Sequence, residues 1–98
     1  MDEDELRSCW DEHKAASNLE KHSVSFEAAA DVFNDPMRVE EEDTFAEGEY
    51  RHIVVGQVDG RLLTVVYSCP EDDVYRIISA RRSTPHERKT YEQNLFHP

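Results

Sequence analysis

The dipeptide Asp59-Gly60 separates two runs of β-forming residues, YRHIVVGQV before it and RLLTVVYS after it. Both central residues of a two-residue type I′ turn need a positive φ, which Asp and Gly tolerate, so the pattern predicts a tight hairpin. Such a short loop also determines the register, which places His52 opposite Tyr67 and Arg51 opposite Ser68. One face of the predicted sheet then carries alternate residues of both strands: Arg51, Ile53, Val55, Leu62, Thr64 and Val66.

Helical patterns flank this hairpin on both sides. Asp11 can cap a helix that extends to about Lys21, and Ser25 can cap a shorter one that stops at Asn34-Asp35-Pro36. A third strand, VYRIISA, follows the hairpin, and Thr84-Pro85-His86-Glu87 is a capping box that opens a last helix. The order of two helices, antiparallel strands and a final helix predicts an α+β fold.

The two N-terminal helices and the segment after them differ in pattern. In the second helix, Phe26, Ala29, Ala30 and Phe33 recur at the spacing of a core-facing stripe. The segment RVEEEDTFAEGE has no helical stripe and predicts an edge strand or a loop with a solvated acidic run.

The first helix is predicted to be amphipathic, with two stripes. They consist of Ala15, Leu19 and His22 on one side and Lys14, Asn18 and Lys21 on the other.

Charge is distributed unevenly along the chain. The 98 residues suffice for one compact domain, 1–98, with a formal net charge of −11. Residues 1–50 carry 16 acids and 4 bases, whereas residues 51–98 carry 6 acids and 7 bases. Five of the eleven Lys and Arg residues lie within Arg76–Gln93. An acidic surface suits a basic partner and opposes a nucleic-acid backbone unless a separate cationic face exists, which the C-terminal half could supply.

Several classes of protein are excluded by composition. No apolar run reaches the roughly 18 residues of a membrane span, and the acidic start MDEDELRSCW is unlike a signal peptide, so we expect a cytoplasmic protein without membrane contact. The five histidines lack the spacing of a zinc site, and no cofactor is expected. Cys9 and Cys69 fit no CxxC pattern; we expect small buried residues rather than a disulfide.

Three blocks of the sequence, WDEHKAASNLEKHSVSFEAAADVF, RLLTVVYS and YRIISARRSTPHERKTYE, resemble the BrnT family, the ribonuclease toxins of a bacterial type II toxin–antitoxin pair. The resemblance covers nearly the whole chain. Ser23 departs from it, because the family usually has Gly at this position. The matching residues are Trp10, Asp11, Lys14, Asn18, Lys21, His22, Val24, Ser25, Phe26, Gly60, Arg61, Leu62, Arg76, Ser79, Arg81, Glu87 and Tyr91.

The resemblance implies a RelE-like fold, an antiparallel sheet with helices, that cleaves RNA without a metal. It also implies inhibition by a BrnA-like antitoxin, a ribbon-helix-helix protein through which DNA would be contacted only indirectly. An alternative function is a non-catalytic domain of the same fold that binds a partner and thereby regulates DNA binding by that partner. The acidic N-terminal half would suit a basic partner under either hypothesis.

Metal-free RNA cleavage needs a base for the 2′-OH proton, an acid for the leaving 5′-oxygen and fixed cations where charge gathers on the phosphate. Arginine suits the last role, because its planar fork binds two phosphate oxygens and stays charged. Arg76, which lies between apolar neighbours in a strand, is the first candidate. We expect Arg51 to point from the same sheet face, within reach of one phosphate. The resemblance favours Arg81 over Arg82 as a third arginine of the site.

The proton-transfer groups are less clearly indicated. Glu49 could be a general base or only the partner of Arg51, and His22 could transfer a proton or only cap the end of the first helix. Arg82 remains a candidate contact to the substrate, as do Lys14 and Lys21 of the first helix. The sequence therefore predicts a cationic RNA site without assigning the acid and the base.

Overall fold

Three α-helices, a 3₁₀ turn and six strands make up residues 7–41 and 44–96, the part of the chain that the computed structural model describes. In chain order they are β1 (Arg7–Cys9), α1 (Glu12–His22), α2 (Phe26–Ala30), the 3₁₀ turn (Asp31–Asn34), β2 (Val39–Glu40), β3 (Thr44–Ala46), β4 (Glu49–Val58), β5 (Arg61–Glu71), β6 (Val74–Arg82) and α3 (Pro85–Phe96).

The β4–β5 hairpin has the predicted turn and register. Asp59 has a φ of 49° and Gly60 a φ of 80°, both in the left-handed region that a type I′ turn requires. His52 pairs with Tyr67, and their rings lie 5.2 Å apart. The hairpin prediction is therefore confirmed in both the turn and the strand pairing.

The sheet is mixed rather than antiparallel, which corrects the sequence prediction. Its strand order is β1-β6-β5-β4-β2, with β3 also paired to β4. Strand β1 runs parallel to β6, with Ser8 opposite Tyr75. The three exposed residues of β1 carry no alternating apolar pattern, so nothing local in the sequence indicates a strand there. The acidic segment contains β2 and β3, which confirms the edge-strand alternative; residues 42–43 lie outside the described part.

The two faces of the sheet are covered differently. Helices α1 and α2 and the 3₁₀ turn pack on one face, where the main core lies. Helix α3 packs on the other face, where Tyr91 contacts Val55 and Leu62 in a smaller core. The main core consists of Val24, Phe26, Ala29, Val32, Phe33, Val54, Val58, Leu63, Val65, Tyr67, Ile77 and Ala80.

Helix α1 buries a polar residue. Asn18, from the stripe of Lys14 and Lys21, is 6% exposed, whereas Leu19 is 52% exposed. The Asn18 amide donates to the carbonyl oxygens of Val24 and Ala80, at 2.9 and 2.8 Å, and accepts from the Ala80 N–H at 3.0 Å. It thus takes the place of a neighbouring strand at the edge of β6, which explains why this polar residue is buried, whereas Lys14 and Lys21 of the same stripe are exposed.

Helix α3 is held to the rest of the domain by Asp35. The Asp35 carboxylate accepts hydrogen bonds from the Tyr91 hydroxyl at 2.6 Å and from the Gln57 and Met37 backbone N–H groups, both at 2.8 Å. Burial and this contact with Asp35 raise the pKa of Tyr91 to about 12. One carboxylate therefore joins the turn after α2, strand β4 and helix α3.

Two further expectations concern the cysteines and the membrane. Cys9 and Cys69 form no disulfide, but both are exposed, so the expectation that they are buried was wrong. Cys9 ends the exposed strand β1, and Cys69 lies in the exposed last part of β5. No described helix has the length and apolar character needed to cross a membrane.

Candidate functional site

Arg51, Arg76 and Arg81 project from one face of the sheet, which we call the arginine face. On β6, Arg76 pairs with Ser68 and Arg81 with Thr64, and paired residues point to the same side of a sheet. Arg51 lies two residues before Ile53 on β4, on that same side. The prediction that Arg51 and Arg76 share a face is therefore confirmed.

Glu49 joins the two arginines. Its Oε1 atom lies 2.5 Å from Arg76 Nη2, and its Oε2 atom lies 4.0 Å from Arg51 Nε. Arg51 Nη2 also forms an ion pair with Glu47 Oε2 at 2.7 Å. Two guanidinium groups thus meet around one carboxylate, and neither is without a partner.

Arg81 is held by Glu87 at the start of α3. Arg81 Nη1 and Nη2 donate to the two Glu87 oxygens at 2.8 and 2.9 Å, and the Thr64 hydroxyl donates to Oε1 at 2.9 Å. The Arg81 hydrogen bonds, together with that of the Thr84 N–H, lower the pKa of Glu87 to about 2. Glu87 therefore stays ionised at neutral pH and fixes the orientation of Arg81.

Two buried polar atoms of the arginine face have no hydrogen-bond partner within the described residues. They are Arg51 Nε and the Ser68 hydroxyl oxygen, and Ser68 as a whole is 2% exposed. Buried polar atoms of folded proteins are nearly always paired, so exceptions mark strain, a bound water or ion, or a functional site.

The basic residues of α1 lie at a separate place. Lys14, Lys21 and His22 line a cleft of about 220 Å³ between α1 and the edge of β6, which we call the α1 cleft. Ser79 also lines it and pairs with Val66, which puts the Ser79 side chain on the arginine face. The cleft therefore adjoins the arginine face at Ser79, midway along β6.

Arg82 does not join the other candidates. It pairs with Leu63, a residue of the main core, and so lies on the side of the sheet opposite Arg81. Its backbone carbonyl accepts a hydrogen bond from Arg81 Nη1 at 3.3 Å.

Three residues of the site escaped prediction from the sequence. The role of Glu87 as the capping residue of α3 is enough to explain it in the sequence, so the sequence does not indicate its contact with Arg81. Ser68 reads as an ordinary small residue in a strand, although the hairpin register already placed it opposite Arg51. His86 lines a pocket of about 410 Å³ with Glu87, Ile53, Thr44 and Glu41, and only the fold shows that this pocket adjoins the arginine face.

The arginine face combines guanidinium groups with carboxylates. Arg51 pairs with Glu47, Arg76 with Glu49 and Arg81 with Glu87. His22 lines the α1 cleft, and His86 lines the pocket at the start of α3. Within residues 7–41 and 44–96, no group of three or more His, Cys, Asp or Glu side chains could hold a metal ion. The fold and the site thus define a small α+β protein with an arginine–carboxylate surface on one face of its sheet.

Comparison with known proteins identifies the family. A family model described as the ribonuclease toxin, BrnT, of a type II toxin–antitoxin system matches residues 10–87, and the chain belongs to this family. A toxin of this kind has an antitoxin partner. The fold is similar to that of the Brucella abortus ribonuclease toxin BrnT, with a TM-score of 0.61 and 20% identity over 81% of this chain and 97% of that one. No curated protein sequence matches the chain.

Proposed function

We propose that this chain is a metal-independent endoribonuclease that cleaves RNA on the arginine face and inhibits growth in this way. The observation that supports the proposal most is the meeting of Arg51 and Arg76 at one carboxylate in a member of a ribonuclease-toxin family. Guanidinium groups held at fixed positions stabilise the negative charge that develops on a phosphate during cleavage.

In the proposed reaction the RNA 2′-hydroxyl attacks the adjacent phosphorus, and the bond from phosphorus to the 5′-oxygen breaks. Glu49 accepts the 2′-OH proton, while Arg51 and Arg76 bind the phosphate oxygens. Arg81, oriented by Glu87, supplies a third fixed charge. The products are a 2′,3′-cyclic phosphate and a free 5′-hydroxyl, whose proton comes from a general acid.

Two histidines compete for the role of general acid. His22 lies in the α1 cleft and His86 in the pocket at the start of α3. A pH–rate profile of His22→Gln and His86→Gln decides between them, because loss of the acid removes one limb of the profile. Lys14 and Lys21 are proposed to bind a neighbouring phosphate of the RNA through the α1 cleft. Arg82 has no part in the proposed reaction.

The proposed partner is a BrnA-like antitoxin of the ribbon-helix-helix class, and the proposed architecture is RelE-like. Family membership supports an antitoxin partner, and the 16 acids among residues 1–50 would attract a basic one. We further propose that the antitoxin contacts DNA, and that this chain does so only through it.

One observation favours the alternative, a non-catalytic domain that acts only through its partner. Each of the three arginines already forms an ion pair with a glutamate of the same chain, so a phosphate must compete with Glu47, Glu49 or Glu87. The two functions differ in whether the purified chain cleaves RNA.

The deciding experiment incubates purified protein with single-stranded RNA in the presence of a metal chelator. We expect cleavage by the wild type and a loss of about 10²–10³-fold in rate for Arg76→Ala, because a fixed donor to transition-state charge is removed. Arg61→Ala is the matched control, since Arg61 pairs with Val58 at the far end of the hairpin. An Arg76→Ala variant that is folded and as active as the control would contradict the assignment, and an inactive wild type would favour the alternative.

A further inference from the structure

We infer that Ser68 and the Nε–H of Arg51 together form a phosphate-binding subsite on the arginine face, in which both donate hydrogen bonds to one RNA phosphate group. This inference rests on the proposed function, because it identifies how the substrate of the same site is held. Ser68 would then be a substrate-binding residue that the sequence alone gives no reason to choose.

The first observation is that both donors are buried without a partner within the described part of the chain. Ser68 is 2% exposed, and neither its hydroxyl oxygen nor Arg51 Nε has a hydrogen bond. Leaving a buried polar group unpaired destabilises a fold, so two such groups at one place need a reason. A ligand that accepts hydrogen bonds from both groups would be such a reason.

The second observation is their position relative to the arginines. Ser68 lies on β5, the strand between β4 and β6, and pairs directly with Arg76. The β4–β5 ladder ends with the pair His52–Tyr67, and Arg51 and Ser68 are the next residues of the two strands, on the same face of the sheet. Since β5 lies between β4 and β6 and neighbouring strands are about 4.8 Å apart, the Ser68 side chain projects from the sheet between those of Arg51 and Arg76.

The charge of this space identifies the class of ligand. Arg51 Nε–H can only donate, and the two guanidinium groups exclude a cation, so the ligand must be an acceptor. An anionic acceptor would take the place of Glu49, which pairs with Arg76 in the free protein. Glu49 already shows that the space admits an anionic oxygen, because its carboxylate contacts Arg76 and approaches Arg51 Nε to 4.0 Å. A phosphate group has several acceptor oxygens and can bind Ser68, Arg51 Nε and Arg76 at the same time.

Substitution of Ser68 separates this role from a structural one. Ser68→Ala removes a buried hydroxyl that has no partner, so the free protein should be as stable as the wild type or more stable. A hydroxyl that holds the structure together would behave in the opposite way. If the hydroxyl binds phosphate, the same change weakens RNA binding while the stability of the free protein is unchanged or higher.

The experiment uses the full chain and a short RNA with 2′-deoxy nucleotides at all positions but the last, which cannot be cleaved because no 2′-hydroxyl lies next to a phosphate linkage. Calorimetric titration should show affinity about tenfold lower for Ser68→Ala, as expected for one lost hydrogen bond to a charged group. Urea unfolding of the same sample should give an unchanged or higher midpoint. The matched control is Ser8→Ala on β1, where the hydroxyl is exposed, and it should change neither quantity.

Two further measurements sharpen the test. Arg51→Lys keeps the charge but lacks Nε–H, and its effect on affinity should not add to that of Ser68→Ala if both bind one group. Inorganic phosphate is titrated separately; tight, Ser68-dependent binding of free phosphate alone would show a site for the free ion and contradict an RNA subsite.

The outcomes distinguish this inference from the proposed function. If the wild type cleaves RNA and Ser68→Ala binds and cleaves equally well, the buried hydroxyl holds only a water molecule and the inference is wrong. If the wild type binds the deoxy-substituted RNA through Ser68 but cleaves no RNA, the subsite stands and the ribonuclease proposal fails. If the wild type does not bind this RNA, the subsite is rejected whether or not cleavage is seen.

Discussion

Glu87 shows how one carboxylate can both begin a helix and orient an arginine. Its Oε1 atom accepts hydrogen bonds from the Thr84 N–H, the Thr64 hydroxyl and Arg81, and Oε2 accepts a further one from Arg81. These contacts favour the charged form, which is why the pKa of Glu87 falls from 4.5 to about 2. The residue therefore links stability to pH.

We predict that this link is visible as acid sensitivity. A carboxyl group with a lowered pKa in the folded state stabilises the fold above its unfolded pKa, and that contribution is lost as pH falls from about 4.5 to about 2. Because Arg81 is half exposed and solvent screens the pair, we expect about 1–2 kcal/mol. Urea unfolding of wild type and Glu87→Gln at several pH values should show a stability difference that is full at pH 7 and shrinks below about pH 4.5.

The matched control for this prediction is Glu92→Gln, which changes an exposed carboxyl group on the same helix. It should leave the pH dependence as in the wild type. A stability gap between wild type and Glu87→Gln that is the same at pH 3 as at pH 7 would contradict the role given to Glu87.

The alternation of side chains along a strand predicts which residues of the site share a face of the sheet, but not which residues they contact. Arg51 and Arg76 were placed on one face because a two-residue turn fixes the first strand pair and side chains alternate along each strand. The ion pairs of the arginines depend on rotamers and on the path of the chain before β4, which alternation does not define. For the same reason, the sequence suggested phosphate contacts for arginines that already form ion pairs with glutamates.

Among the elements, α1 has an unusual end. Its C-terminal residue is followed by Ser23, which has a φ of 58° and donates its N–H to the Leu19 carbonyl. This left-handed conformation is one that glycine adopts without strain, and a residue with a Cβ atom does so at a cost. The departure at Ser23 noted in the sequence thus coincides with a strained helix end.

We predict that Ser23→Gly stabilises the protein by about 1 kcal/mol, because the left-handed conformation no longer costs energy. Thermal unfolding should show a transition several degrees higher, about 4–8 °C for a domain of this size. The same exchange at Ser17, in the exposed middle of α1, should destabilise the protein instead, since glycine disfavours helix interiors. Equal shifts of the same sign in both variants would show that strain at Ser23 is not the cause.

Elements with local signals were predicted well, and those that depend on distant contacts were not. The helix caps at Asp11, Ser25 and Thr84 and the Asp59-Gly60 turn involve residues within four positions of one another, and all were found in place. Strand β1 exists only because residues 7–9 meet residues 74–76, and Asn18 is buried only because it meets Ala80. Such pairings at long sequence separation leave no periodic pattern in the chain.

For the molecule as a whole, the uneven charge predicts how a partner approaches. Residues 1–50 carry a net charge of −12, from 16 acids and 4 bases, and residues 51–98 carry +1, from 6 acids and 7 bases. A basic antitoxin should be steered toward the N-terminal half. Salt weakens such steering once the Debye length shrinks to about 8 Å at physiological ionic strength.

We predict that the association rate with the antitoxin falls at least about tenfold between low and high salt, while the dissociation rate changes less. Stopped-flow mixing measures both. Glu20→Lys and Glu27→Lys, at exposed positions of the acidic half, should slow association at low salt. Glu92→Lys makes the same charge change in the balanced half and should slow it less. An association rate that does not depend on salt would show that the acidic half is only a solvated surface.

The Asn18 side chain also has a consequence for the behaviour of the protein at high concentration. Beyond the three residues paired with β1, the outer edge of β6 would present the backbone groups of Ala80 to any extended chain nearby, and Asn18 occupies them. Open sheet edges are the sites where folded proteins join into aggregates, so this one amide acts as a safeguard of solubility. Loss of the Asn18 side chain would affect the protein less in dilute solution than at high concentration, where the β6 edges of two molecules could pair and begin to polymerise.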